Sequence, residues 1–452
     1  MECTEDKRKN VKIKELFFKS FKMKMLTAYI MLNIAFVTIS SYLVTVKVIN
    51  YKHIGRGFVA LLVVNIIVAL VIIIKKYYKK NIVHIFMGLI ILCGVISTIF
   101  AIKPQVALWG IGGRYEGLFS IMYYFSLMFL SGFVGKKYKK IIAVTIVVTG
   151  IIQCIYAICQ IYEVEGVYRM IHTSKKIKFM ADGFKINRTV WATGFTTNPN
   201  FLATYMLLCA SFAMGLYIDG KKIITSVISI ACTVLFIVGL LISNTSSCIV
   251  GMGAVCIFSI IYCIKNKYIK KMIFMTLAIV CTILVMSKTG KTWFIKDTKE
   301  MRNQAKKITS GEVKEEYGTD RIYIWKNTLK IVPNNLIHGV GIDNFYYAFG
   351  EKPLVTKDGR TYFDKVHNEY LQILVTEGIF CLAAYLSMYV VIGARGLKNC
   401  FKNKEIYLII PVLGYLVQAF FNISVIEVAP IFFVALGLCG SVFNEKLFKK
   451  NS

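Results

Sequence analysis

The chain has 452 residues, of which 56% are apolar and 17% charged, and it carries a net charge of +31. Soluble domains carry roughly one-quarter charged residues, so the composition excludes an ordinary soluble protein and points to an integral membrane protein. The positive charge is gathered in short clusters between apolar runs, "KKYYKK" at 75–80, "KKYKK" at 136–140 and "KNKYIKK" at 265–271; this is the positive-inside pattern of membrane topology, and nucleic acid is not an expected partner.

A helix needs about 18–20 nearly uncharged residues to cross the hydrocarbon core. Twelve runs qualify, near 27–46, 57–74, 81–101, 117–135, 141–162, 200–218, 223–242, 248–264, 272–287, 372–394, 406–424 and 427–443. The basic segment 1–26 precedes the first run, which is too long for a signal peptide and has no small-residue cleavage site behind it. The expected fold is therefore all-α, a polytopic protein of the cell membrane with the N-terminus and the tail 444–452 on the cytoplasmic side. One domain, 27–443, would include two long outer loops, 163–199 and 288–371, the second forming a helical extracytoplasmic subdomain between spans nine and ten.

The chemistry-bearing residues fall in or beside these loops. Arginine is scarce, nine against 46 lysines, so an outer arginine is not explained by a need for bare charge. Arg114, in "WGIGGRYEGLFS" before the fourth span, fits either headgroup snorkelling or a lipid phosphate held close by a glycine-rich loop. Asn198 and Asn200 flank Pro199 in "FTTNPNFLATY" at the start of span six; they fit ordinary helix capping, or donation to a sugar hydroxyl or phosphate at the positive helix end.

In the long loop, "GTDRIYIWKNTLKIVPNN" predicts a short amphipathic helix capped by Thr319 or Asp320 and stopped by Pro333. Arg321 then lies in its first turn, where a cation opposes the helix dipole. "HGVGIDNFYYAFG" predicts a tight turn before an aromatic patch and lacks the third glycine and preceding strand of a dinucleotide site. "FDKVHNEYLQILVTEGIF" places His367 and Asn368 at the mouth of span ten, where a histidine is either structural or a proton acceptor near neutral pH. Asp364 and Glu369 are the neighbouring acids. Glu377 and Glu427 are among the few ionisable residues at membrane depth, and that scarcity argues against an ion-coupled carrier. The thirteen cysteines form no CxxC pair, and the histidines show no metal-ligand spacing, so neither a disulfide scaffold nor a metal is expected.

Taken in order, "GGRYEGL", "GFTTNPNFLATY", "DRIYIWKNTLKIVPNNLIHGVGIDNF" and "HNEYLQILVTEGIFCLAAYL" resemble the O-antigen ligase and polymerase superfamily of membrane glycosyltransferases over roughly residues 108–443. The resemblance implies transfer or polymerisation of glycan from undecaprenyl diphosphate onto a hydroxyl of a glycan, lipid or protein acceptor, at the outer face, with neither nucleotide sugar nor metal cofactor. It implies catalytic roles for His367 and Arg321. Arg114, Arg188, Asn198, Asn200 and Asn368 become the expected contacts to the lipid diphosphate and glycan. A single displacement at the anomeric carbon predicts inversion. The sequence departs from the family at "NTSSCIVG", where Cys248 stands in place of an expected arginine; either another cation, such as Arg188, covers that role, or this chain holds its donor differently. A lipid-linked glycan or polysaccharide flippase and a structural scaffold are the alternative readings.

Overall fold

The computed structural model describes residues 2–74, 81–162, 164, 191–292, 294–312, 314, 317–350, 354–356, 359–361 and 363–441. Among the described residues, nine helices are long and apolar enough to span a membrane. They are α1 (Glu2–Thr45, apolar from Lys22), α2 (Tyr51–Ile74), α3 (Ile82–Ile99), α6 (Lys136–Ile161), α7 (Pro199–Asp219), α8 (Ile223–Ile242), α9 (Ser246–Lys265), α10 (Ile269–Lys288) and α15 (Ile379–Asn403). Between α3 and α6 lie α4 (Pro104–Trp109) and α5 (Leu118–Ser131); after α15 come α16 (Ile406–Gln418) and α17 (Ala429–Cys439). The three shorter apolar helices α5, α16 and α17 fall on the fourth, eleventh and twelfth runs of the sequence. The chain is a multi-pass membrane protein: among the described residues, nine of the twelve expected runs form helices of spanning length and the other three form shorter apolar helices.

Packing follows from side-chain size. In α7 every residue from Phe201 to Ile218 is buried, the signature of a helix wrapped by others. Without a hydrophobic force between helices in lipid, close approach depends on small residues. At Gly215 a Cβ would stand 2.3 Å from the Cα of Tyr407 in α16, so only glycine permits that crossing. The outer helices show the opposite pattern: Val63, Ile67, Leu70 and Ile74 on α2 and Ile273, Leu277 and Leu284 on α10 are exposed, as lipid-facing side chains must be.

The short helices have a physical reason. Eleven residues of α17 rise only about 17 Å, and the chain from Asn422 to Val428 before it is non-helical with Asn422, Ile423, Val425, Ile426, Glu427 and Val428 all buried. Irregular backbone at membrane depth persists only where protein satisfies its polar groups. Here Asn422 Nδ2 donates to Gln418 and Thr204, and Ser424 Oγ donates to Glu116 Oε1 at 2.6 Å.

Between α10 and α15 lies the inserted subdomain: α11 (Phe294–Thr309), α12 (Arg321–Ile331) running into a 3-10 turn (Val332–Asn335), α13 (Phe345–Phe349), β1 (Leu354–Thr356) paired antiparallel to β2 (Gly359–Thr361), and α14 (Glu369–Glu377). Ile324, Val332, Phe345, Val366 and Val375 form its core, separate from that of the bundle. The insert is helical apart from the three-residue strands of the β1–β2 hairpin, and α12 ends at Ile331, two residues before Pro333, as expected. Two expectations need correction. Asp320 takes the cap position of α12 with φ 63° but makes no side-chain cap bond. Span ten begins at Ile379, seven residues later than the apolar run, because Gly378 (φ 89°) breaks α14 from α15.

Gly378 is also where the insert meets the bundle: Ile379 N donates to Leu336 O at 2.8 Å, and a Cβ at 378 would stand 2.2 Å from Ile337 O. Gly378→Ala is expected to destabilise the protein by about 1–3 kcal/mol through strain and a backbone clash. A lowered thermal midpoint of the detergent-purified protein would show it, with Gly393→Ala, which meets no neighbour within 4 Å, as the silent control.

Candidate functional site

Three segments meet at one end of the bundle: the loop 110–117 before α5, the turn 339–344, and the stretch 363–368 that leads into α14. Lys365 joins them. Its ammonium is buried and forms ion pairs with Asp343 Oδ1 at 2.6 Å and Glu116 Oε2 at 3.3 Å. Burial alone would pull the lysine pKa down; the two carboxylates override it and hold the group above the ordinary lysine value. Asp343 Oδ2 also accepts from Ile111 N at 2.7 Å, so the turn and the loop are tied twice.

This clamp sets the neighbours of Lys365 on either side. Asp364 accepts from Arg114 Nε at 2.8 Å. Burial would raise its pKa, but the guanidinium outweighs burial and keeps the carboxyl below its usual range. The guanidinium of Arg114 also lies 5.3 Å from the ring centre of Phe201, one residue beyond the Asn-Pro-Asn motif. Val366 O accepts from Trp325 Nε1 of α12 at 3.1 Å, and Val366 N donates to Gln372 Oε1.

His367 is consequently gripped by backbone on both sides and held at φ 57°, a left-handed conformation uncommon for a residue other than glycine. Its Nδ1 is buried with no hydrogen-bond partner among the described residues. Burial, followed by the field of Arg321, lowers its pKa to about 4, so the imidazole is neutral, with a ring nitrogen free to take a proton. Asp364 and Glu369, the acids nearest in sequence, make no hydrogen bond to it: the first is engaged with Arg114, and the second accepts from Tyr415 at 3.0 Å.

Arg321 opens α12. Its Nη1 donates to Gly318 O at 2.7 Å and to Thr319 Oγ1 at 2.5 Å, while Nε is buried and has no partner among the described residues. Among the described residues it has no carboxylate partner, and burial lowers its pKa. A half-buried guanidinium without an acid beside it is unfavourable in the empty protein and is suited to an anionic ligand.

The asparagines resolve toward capping. Asn198 accepts from Asn200 N and caps α7; Asn368 accepts from Leu371 N and caps α14. Both hold a helix in place through Oδ1. Asn200, half-buried, has no side-chain partner among the described residues. Arg188 lies outside the described residues. Cys248 is buried in the first turn of α9, near Thr204 Oγ1 and Gln418 Oε1 at 3.7 Å each, so a neutral polar cluster stands where a cation was expected.

The structure adds residues that sequence reasoning passed over. Lys365, Glu116 and Asp343 sit inside motifs already noticed, but their pairing spans up to 249 positions. Glu427 is buried beside Arg114 and accepts from Tyr51 at 2.5 Å, and Tyr51 also contacts Thr197 at 2.6 Å. Only the ionisable character of Glu427 gave a signal. No three-member His, Cys, Asp or Glu group suited to a metal is found among the described residues.

Residues 231–386 match the family described as O-antigen ligase. The match runs from within α8 into α15 and includes Cys248, Arg321, His367 and Asn368, while Arg114, Asn198 and Asn200 precede it. No curated protein matches the chain. The family match supports a membrane enzyme that ligates or polymerises glycan.

Proposed function

We propose that this chain, whose residues 231–386 match the O-antigen ligase family, transfers glycan from undecaprenyl diphosphate to an acceptor hydroxyl at the outer face of the cell membrane. Both termini then lie in the cytoplasm, and the insert is extracytoplasmic. The observation that carries the reading is the pairing of Arg321, a cation with no acid partner among the described residues, with the neutral and unpartnered imidazole of His367.

An alcohol is a weak nucleophile until a placed base takes its proton. His367 accepts the hydroxyl proton as the acceptor oxygen forms a bond to the anomeric carbon. The bond from that carbon to the diphosphate oxygen breaks, and the electron pair leaves with the diphosphate. Direct displacement of this kind inverts the anomeric centre. Arg321 meets the developing negative charge with a planar, permanently charged fork. Arg114, fixed by Asp364 and stacked near Phe201, supplies the second cation, and Asn200 contacts the donor. Arg188 is assigned to the donor from the sequence alone. The imidazolium then releases its proton to water.

The test is transfer by purified protein from a lipid-diphosphate-linked glycan to candidate acceptors, with EDTA present throughout. Arg321→Ala is expected to lower kcat/KM by about 10²–10³-fold, the scale for loss of a donor to developing charge, and Arg321→Lys is expected to recover only part of it because a point charge lacks the fork. EDTA should leave the wild-type rate unchanged. Full activity in both variants would remove Arg321 from the mechanism. Translocation of the lipid-linked glycan without transfer would favour the flippase reading.

A further inference from the structure

At the same end of the bundle, α11 follows the terminus of α10 after a short connection and so lies at the membrane–water boundary. Phe294, Met301, Ala305 and Ile308 recur at helical spacing along one side of α11, and Lys299, Arg302 and Lys306 flank them. Phe294 at its start packs against the bundle core and Met301 is half-buried, while Ile308 near its end and Ile295 on its other side are 40% and 60% exposed. A basic amphipathic helix of this kind lies in an interface with its apolar side among acyl chains. Where α11 meets α10 there is a cavity of about 420 Å³, lined by Ser287, Thr292, Ile295, Lys296 and Lys299. The Ser287 hydroxyl is buried there with no hydrogen-bond partner among the described residues.

We infer that this cavity and the basic flank of α11 bind the phosphate headgroup of an anionic glycerophospholipid, and that the bound lipid positions Arg321. The occupant follows from charge and depth. Two lysines, a threonine and a serine hydroxyl offer cations and donors at headgroup level, beside the exposed apolar side chain of Ile295. The coupling follows from two bonds: Gln304 of α11 accepts from Gly318 N at 3.1 Å, and Gly318 O accepts from Arg321 Nη1 at 2.7 Å. Seating α11 therefore seats the turn that holds the arginine. This second step rests on the transfer activity proposed above; the binding step does not.

The experiment compares the protein in nanodiscs of phosphatidylcholine alone with nanodiscs in which about one-third is phosphatidylglycerol, reading retained lipid by native mass spectrometry and glycan transfer separately. Each basic residue at an anionic surface contributes roughly fivefold in affinity, so Lys296→Gln with Lys299→Gln is expected to reduce phosphatidylglycerol retention by about 25-fold. Wild type is expected to transfer glycan about 5–10-fold faster in the anionic discs, and the double variant is expected to lose that gain while keeping the phosphatidylcholine rate. Gln304→Leu should retain lipid yet lose the gain, a split that a merely structural glutamine would not produce. Retention unchanged in the double variant, or equal for the two lipids, overturns the site. Normal retention with no rate gain in wild type overturns the coupling. Absence of transfer in every disc would count against the proposed activity while the retention measurement still decides the lipid site.

Discussion

His367→Ala is expected to lower kcat for glycan transfer by about 10²–10⁴-fold, the range for removal of a placed general base, while donor KM changes only a few-fold. Because the histidine occupies a left-handed conformation, His367→Asn is the companion variant. Asparagine tolerates φ near 57° but cannot serve as a base, so the same loss in both variants separates chemistry from backbone strain. The pH profile gives an independent reading. Burial and the field of Arg321 hold the pKa at about 4, so kcat/KM, which reports the free enzyme, should fall on the acid side near pH 4 and not near 6.5. Arg321→Gln removes a repelling cation and should move that limb upward. Bound diphosphate opposes the same cation, so the acid limb of kcat in wild type should lie above that of kcat/KM. A limb at 6.5 in wild type that ignores Arg321 would assign the proton acceptor elsewhere.

The same shift bears on stability, with a definite sign. The folded-state pKa of His367 lies below its unfolded value, so between about pH 6.5 and 4 the unfolded chain binds the extra proton. Stability from this residue is complete above 6.5 and declines as the pH falls toward 4. An acid-side activity loss measured after long incubation would mix this effect with titration of the base; initial rates after a short pH jump keep them apart.

The spans were legible because hydrocarbon thickness acts on every residue of a run, and twelve apolar runs gave nine long and three shorter apolar helices. Their irregular ends were not. An apolar run from 372 to 394 continues across Gly378 in composition, and only the proximity of Ile337 O explains why the helix must break there. Asn198 was legible as a cap because the cap bond is local. Asp320 was misread as a cap because its side chain stands after a left-handed turn that holds Arg321 through backbone oxygen. His367 and Arg321 stood out by type and place, and the family match covers both, but the features on which their proposed roles rest, an unpartnered ring nitrogen and a guanidinium with no acid beside it among the described residues, are visible only in three dimensions. Lys365 was read past altogether. In a chain with 46 lysines nothing local separates a buried one from those that meet solvent.

Lys365→Met is expected to destabilise the protein by about 3–5 kcal/mol, the scale for removing one partner of a buried ion pair. The ammonium is 3% exposed and sits between two carboxylates from distant parts of the chain, so its removal leaves Asp343 and Glu116 buried without a counter-ion. Loss of this clamp would also release the 363–368 stretch from the 110–117 loop, separating His367 from Arg114. The neutral triple variant, Lys365→Met with Asp343→Asn and Glu116→Gln, isolates the two consequences. Without any buried charge it should recover most of the thermal midpoint, since apolar or neutral replacements of a whole buried ion cluster are often tolerated. Transfer should remain at least tenfold below wild type, because the charge pattern that aligns Asp364 with Arg114 is gone. If the triple variant recovers both stability and rate, Lys365 is only a folding element; if Lys365→Met alone leaves the midpoint unchanged, the clamp does not hold the two loops together.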